Sequence, residues 1–220
     1  MTIGLPGIDR LPSLDRARAG ERGITIGDFL VPIRISERLN VRVRHVALIL
    51  AGTLLIAVGA QVSIAVPGNP VPITGQTFGV LVAGGALGFR RGIAASALSV
   101  LLGVVGLPFF AGGRTGIEVL YGTDGGYLIG FIVAAATVGR LAELGWDRNV
   151  AGSVGAMLMA NAAVYVVGVP WRAYVTGNDL AWGIEQGLLP FIPGDALKLG
   201  LAAAVFPAAW WVVGRRPGDR

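Results

Sequence analysis

Two ionisable residues stand at the start of the last apolar segment, in Pro193-Gly194-Asp195-Ala196-Leu197-Lys198, and Lys198 is the only lysine in the chain. Proline and glycine before an acidic residue read as a helix start, with Asp195 as N-cap or first-turn residue. Three-residue spacing puts Asp195 and Lys198 on one helix face. Charges at membrane depth are costly and face a cavity or one another. Two readings of the pair are open: an internal ion pair that sets the helix, or an acceptor and a charged donor offered to a polar ligand. Asn161 and Tyr165, spaced i and i+4 in the preceding segment, put an amide and a phenol on one side of a helix. They serve the same cavity or a hydrogen bond between packed helices.

Other polar candidates lie at segment ends. Val66-Pro67-Gly68-Asn69-Pro70-Val71-Pro72-Ile73-Thr74-Gly75-Gln76-Thr77 is an uncharged loop leading into a helix, with Gln76 near its start. The stretch 107–116 combines Phe110, several glycines and Arg114, and Asp124-Gly125-Gly126-Tyr127 opens the next segment. It reads either as a lid over a small anionic ligand or as an ordinary outer loop. Enzyme motifs are absent from the sequence. There is no G-x-x-x-x-G-K-[ST] nucleotide loop, no G-x-S-x-G and no H-E-x-x-H. With no cysteine and His45 as the one histidine, neither a zinc set nor a thiol nucleophile can be assembled. We therefore expect no catalytic residue, no metal and no cofactor.

Membrane helices must position these groups. Of 220 residues, 54% belong to the set AVILMFWYC and 14% are charged, against about a quarter charged in soluble domains. Mean hydropathy is +0.69. This composition excludes intrinsic disorder. Six apolar segments follow in order: Val46–Ile64, Gln76–Phe89, Ile93–Phe109, Tyr127–Leu144, Val150–Val169 and Asp195–Val213. A span needs roughly 20 residues, so the second and third require tilt, thinning or burial among neighbours. Arg90-Arg91-Gly92 between them reads as the tip of a helical hairpin.

Cytoplasmic loops carry the excess of Lys and Arg. Placing both termini inside leaves only Arg114 and Arg172 outside, with Lys198 within the sixth segment. The net charge of +5 thus belongs to membrane flanks, and no nucleic acid partner is expected. The expected fold is an all-α integral membrane protein of six transmembrane helices with cytoplasmic termini. We expect residues 1–43 to form a flexible cytoplasmic tail, 44–214 the membrane domain, and 215–220 a short cytoplasmic end. Within the first tail, 23–31 is apolar enough to lie on the membrane surface and too short to span. No long apolar run or small-residue cleavage site marks a secretory signal there.

Four ordered motifs carry a resemblance. Val71-Pro72-Ile73-Thr74-Gly75-Gln76-Thr77-Phe78-Gly79-Val80-Leu81-Val82-Ala83-Gly84 resembles a second-helix signature. Gly106-Leu107-Pro108-Phe109-Phe110-Ala111-Gly112-Gly113, followed by Gly125-Gly126-Tyr127-Leu128-Ile129-Gly130-Phe131, resembles a central loop and fourth helix. Pro193-Gly194-Asp195 with Lys198 resembles a sixth-helix motif. The family is BioY, the biotin-specific S-component of energy-coupling factor (ECF) transporters.

The resemblance implies an S-component fold in the cytoplasmic (inner) membrane of a prokaryote, surrounded by membrane lipid. It implies biotin capture from outside, association with a transmembrane T-component coupled to two cytoplasmic ATPases, and toppling to deliver the ligand. Ala47-Leu48-Ile49-Leu50-Ala51 is similar to the small-x-x-x-small motif with which S-components dock on the T-component, so Ala47 and Ala51 are the docking candidates. Biotin has a ureido group, an apolar ring body and a carboxylate. Asp195 accepts, Asn161 donates and accepts, and Lys198 or Arg114 meets an anion. Tyr165, Gln76, Phe110 and Tyr127 complete the candidate site, and which end of biotin meets Lys198 stays open. The rival class is a proton-coupled secondary transporter of a small carboxylate with Asp195 as proton site, for which inverted repeats are not evident.

The arginine asymmetry makes a topological prediction. Cysteines at Asn69, Thr115 and Asn178 should react with an impermeant thiol reagent from outside, and cysteines at Arg91 and Asp147 should not. Labelling of the second pair in intact cells overturns the orientation.

Overall fold

The computed structural model describes residues 25–30, 41–66 and 68–213. Most of the expected N-terminal tail and all of the expected C-terminal one lie outside the described residues. Element order is α1 Gly27–Leu30, α2 Val41–Gln61, β1 Ser63–Val66, β2 Asn69–Thr74, α3 Gln76–Leu87, α4 Phe89–Val104, α5 Ile117–Tyr121, α6 Gly125–Glu143, α7 Val150–Thr176, α8 Leu180–Gly187 and α9 Ile192–Val213. Single 3-10 turns at Ala111–Gly113, Trp146–Arg148 and Leu189–Phe191 join some of these.

Among the described residues, four helical stretches are long and apolar enough to cross a membrane: Arg42–Gln61, Gly125–Glu143, Val150–Thr176 and Leu180–Val212. The last comprises α8, a 3-10 turn and α9. The helices α3 and α4 have 12 and 16 residues, or roughly 18 and 24 Å at about 1.5 Å per residue.

Two local expectations are corrected. The all-α reading misses a two-stranded antiparallel hairpin, β1–β2, pairing Ser63 with Thr74 and Ile64 with Ile73. Gly68, at φ 74°, turns the chain between them. Short β-branched runs next to such a turn close a ribbon where composition alone says loop. The α3–α4 turn also sits earlier than Arg90-Arg91-Gly92. It falls at Gly88, whose φ of 82° is one that L side chains rarely adopt. Both arginines therefore belong to the first turn of α4, where Glu143 Oε1 accepts the Phe89 N–H at 2.9 Å.

The bundle is built around α6, which packs against α3, α4 and α7, while α2 lies on α3 and α4 and α9 on α7 and α3. Apolar attraction does not select partners in lipid, so small residues that admit close backbone approach do. Ala134, Ala135, Ala160 and Ala202 are fully buried. A Cβ at Gly130 of α6 would stand 2.8 Å from the Val164 carbonyl oxygen and 2.9 Å from Val164 Cα on α7. By contrast, Val46, Leu50, Leu54 and Val58 are exposed along α2. Ala47 and Ala51 are exposed on the same helix.

Replacing Gly130 with valine should therefore cost stability through overpacking, by about 1–3 kcal/mol. Detergent-solubilised protein should melt at lower temperature. Unchanged melting shows that α6 and α7 can separate without penalty.

The orientation test gains better inner positions from the fold. Asp147 is buried and Arg91 half-buried, whereas Arg90 and Arg140 are exposed, so cysteines at the latter two report on side rather than burial.

Candidate functional site

Asp195 lies in the first turn of α9. The helix begins at Ile192, so Pro193 and Gly194 occupy that first turn, where a missing N–H costs nothing. Its carboxylate collects three donors. Lys198 Nζ lies 2.7 Å from Oδ1. Asn161 Nδ2 donates to Oδ2 at 3.0 Å, and the Tyr165 hydroxyl donates to the same oxygen. Lys198 Nζ also donates to the Thr74 carbonyl of β2 at 3.1 Å. The side chains of Asp195 and Lys198 are 7% and 13% exposed. The i,i+3 and i,i+4 spacings thus bring four groups from α7 and α9 to one point, and Lys198 ties that point to the hairpin.

This cluster lines a cleft of about 610 Å³ of space not occupied by atoms, its mouth included. All eight expected site residues, Asp195, Lys198, Asn161, Tyr165, Gln76, Arg114, Phe110 and Tyr127, line it. Phe131 and Phe191 extend the aromatic wall, and Val71, Pro72, Thr74 and Thr77 form the side contributed by the hairpin and α3. Tyr127 stands edge-on to Tyr165, with ring centroids 6.3 Å apart at 87°. Its hydroxyl donates to the Gly187 carbonyl at 2.8 Å, so this side chain presents mainly its ring.

Arg114 pairs with Asp124 and donates from Nε to the Ala111 carbonyl at 3.1 Å. It reaches the cleft already partnered, which lowers the free positive charge that the sequence reading assigns to it. In the cleft lining, the buried acceptors Asn161 Oδ1 and Asp124 Oδ1 have no hydrogen-bond partner among the described residues. Buried acceptors left open cost free energy unless a ligand or water supplies a donor. The cleft therefore combines unmet acceptors, one ammonium group and aromatic walls. That set suits a molecule with polar N–H groups, an anionic or carbonyl end and an apolar body.

Several positions in or beside the cleft escape sequence reasoning. Asp124 reads as a helix start, yet it faces Arg114 across the loop. Phe191 belongs to a 3-10 turn with no sequence mark of its own. Arg172, counted as an outer loop charge, is 1% exposed. It donates to the Gln186 carbonyl and to Asn69 Oδ1, both at 3.0 Å, and its guanidinium lies 5.4 Å from the Trp182 ring centroid. Asn69 in turn donates to the same carbonyl at 2.7 Å. These bonds fasten the hairpin to α7 and α8 beside the cleft.

A family model described as the BioY family matches residues 34–215. The chain belongs to the BioY family. The "Biotin transporter BioY" of Thermotoga maritima is 41% identical over 154 residues, spanning 70% of this chain and 88% of that one. That of Rhizobium etli is 34% identical over 161 residues, spanning 70% and 86%. A solved structure titled as the S-component for biotin from an ECF-type ABC transporter matches with a TM-score of 0.70 at 27% identity, covering 76% of this chain and 90% of that one. This BioY-family chain therefore shares its architecture with a solved S-component.

The hairpin attachment is testable without a ligand. Asn69→Ala leaves Arg172 short of one acceptor and should loosen the ribbon. Backbone amides of Ser63–Thr74 should exchange hydrogen faster in the variant, while those of α6 stay unchanged. Equal exchange in the ribbon contradicts the fastening.

Proposed function

We propose that this chain captures biotin and serves as the substrate-binding S-component of an ATP-driven ECF transporter. The observation that carries this reading is the Asp195–Lys198–Asn161–Tyr165 cluster opening on an aromatic cleft in a BioY-family fold. Biotin's ureido N–H groups meet acceptors such as Asn161 Oδ1, and its ring body lies against Phe110, Tyr127 and Tyr165. Its carboxylate or ureido oxygen meets Lys198. Gln76, whose side chain makes no hydrogen bond with another described residue, and Arg114 border the ligand.

In this reading the bundle crosses the cytoplasmic membrane of a prokaryote six times, with α3 and α4 accommodated by tilt and by burial against α6. Both termini are cytoplasmic and the cleft faces outside. Support comes from charge placement: Arg90, Arg91, Arg140 and Arg148 lie at the end of the bundle opposite the cleft. Partners are a transmembrane T-component and two ATPase subunits, because the sequence carries no nucleotide-binding loop. The exposed α2 face with Ala47 and Ala51 is the docking surface for the T-component, where small side chains allow close helix approach.

The Asp195–Lys198 pair supplies the decisive experiment. Replacing Asp195 with asparagine and Lys198 with methionine together removes both charges, and a buried ion pair often tolerates neutral replacement. The double variant should stay folded and membrane-inserted. A lost hydrogen bond to a charged group is worth about 1.5–3 kcal/mol, so binding of radiolabelled biotin should fall by roughly 10- to 150-fold. Parent-like binding by the folded double variant removes the pair from the site.

A further inference from the structure

Thr25–Leu30 precedes residue 34, where the family match begins, yet it packs into the end of the bundle opposite the cleft. Thr25, Ile26 and Phe29 are buried. Gly27 lies so close to α3 that a Cβ there would stand 2.7 Å from the Ala86 carbonyl oxygen. Asp28 is the polar centre of the segment. Arg91, in the first turn of α4, donates from Nη1 to Asp28 Oδ1 at 2.9 Å and from Nη2 to Thr25 Oγ1 at 3.1 Å. Arg44 of α2 donates to the Asp28 carbonyl at 2.6 Å. The Thr25 N–H donates to Asp28 Oδ2 at 3.0 Å, folding the segment on itself.

The other anchor is aromatic. Phe29 stands edge-on to Trp210 of α9, with centroids 5.7 Å apart at 75°. Trp210 Nε1 donates to Asp147 Oδ2 at 2.7 Å, and the Arg148 guanidinium lies 4.9 Å from the ring centroid. Trp210 sits just past Pro207. A helix-interior proline removes one hydrogen bond of the ladder, so the turn beyond it depends on such lateral contacts.

We propose that Thr25–Leu30 is a clasp that holds α9 against the first turn of α4, so that the helix carrying Asp195 and Lys198 is fixed at both ends. One end is held by the Asn161, Tyr165 and Thr74 bonds in the cleft. The other is held by Phe29 on Trp210, with Asp28 bound to Arg91 and Arg44. Pre-organising a binding surface removes an ordering cost from association, so the clasp supports affinity at a distance from the ligand. Burial pushes the Asp28 carboxyl up, but the Arg91 and Thr25 hydrogen bonds outweigh it and hold the group below its ordinary range. Its contribution to stability is therefore present above the ordinary carboxylate pKa and is lost only as pH falls through the depressed one.

The test compares two truncations and a mutant cycle in the otherwise intact chain. Deleting residues 1–24 keeps the clasp, and deleting 1–30 removes it. The longer deletion, Asp28→Asn and Phe29→Ala should each lower the melting temperature relative to the shorter deletion, by roughly 3–6 °C for Asp28→Asn. Amides around Trp210 should exchange faster. Asp28→Asn and Arg91→Gln should be less than additive, as for two partners in one interaction. Biotin affinity should weaken by roughly 2- to 30-fold. The affinity arm rests on the biotin reading proposed above, whereas the melting and exchange arms do not. If the full-length chain binds no biotin, that reading fails and melting and exchange still judge the clasp. Equal melting and exchange in both truncations overturn the clasp. Lower stability with unchanged affinity overturns its link to the cleft.

Discussion

A carboxylate buried in a membrane bundle has to be neutralised and hydrogen-bonded, or its desolvation costs several kcal/mol. Asp195 meets this demand with donors from two helices, and its ion-pair partner Lys198 needs a further acceptor, the Thr74 carbonyl of the hairpin. Satisfying one charge therefore fixes α9 against α7 and draws β2 onto α9. The walls of the cleft follow from that arrangement. Phe110, Tyr127, Phe131 and Phe191 could not choose their positions by hydrophobicity alone, because lipid tails are as apolar as they are. Polar bonds choose the register, and the aromatic side chains fill what is left.

The same logic recurs at two other seams. Arg172 is a buried cation whose two terminal nitrogens meet a backbone carbonyl and the Asn69 amide, and it closes the seam between hairpin, α7 and α8. At the opposite end, Arg91 meets Asp28 and Thr25. Each polar cluster joins elements far apart in the chain, whereas the alanine- and glycine-rich helix contacts between them provide tight but less selective packing. A cleft built this way is held by bonds within the chain itself. Among the cleft residues it leaves Asn161 Oδ1 and Asp124 Oδ1 without a hydrogen-bond partner.

Much of this is legible in the sequence, for reasons particular residues make clear. Asp195 with Lys198, and Asn161 with Tyr165, are local spacings on single helices, and helix geometry alone puts each pair on one face. Long apolar runs reported α2, α6, α7 and α9, although α2 starts earlier than hydropathy suggests and α7 continues past Val169 to Thr176. The β1–β2 ribbon, the short helices α5 and α8 and the turn at Gly88 were not legible. Their signals are a few residues long and compete with loop composition. Arg114 and Asp124 could each be singled out, yet nothing in the sequence reading paired them.

The order of residue types alone sets the solvent and the local chemistry. Apolar runs require lipid around helices, and ionisable residues inside such runs require partners. Which partners they take was decided only in three dimensions. Lys198 reaches Thr74 across 124 positions and Arg172 reaches Asn69 across 103. No periodicity encodes such pairings, because they follow from which helices pack together. That packing is chosen by the summed fit of small residues, as at Gly130 against Val164, and by the demand that every buried charge be met.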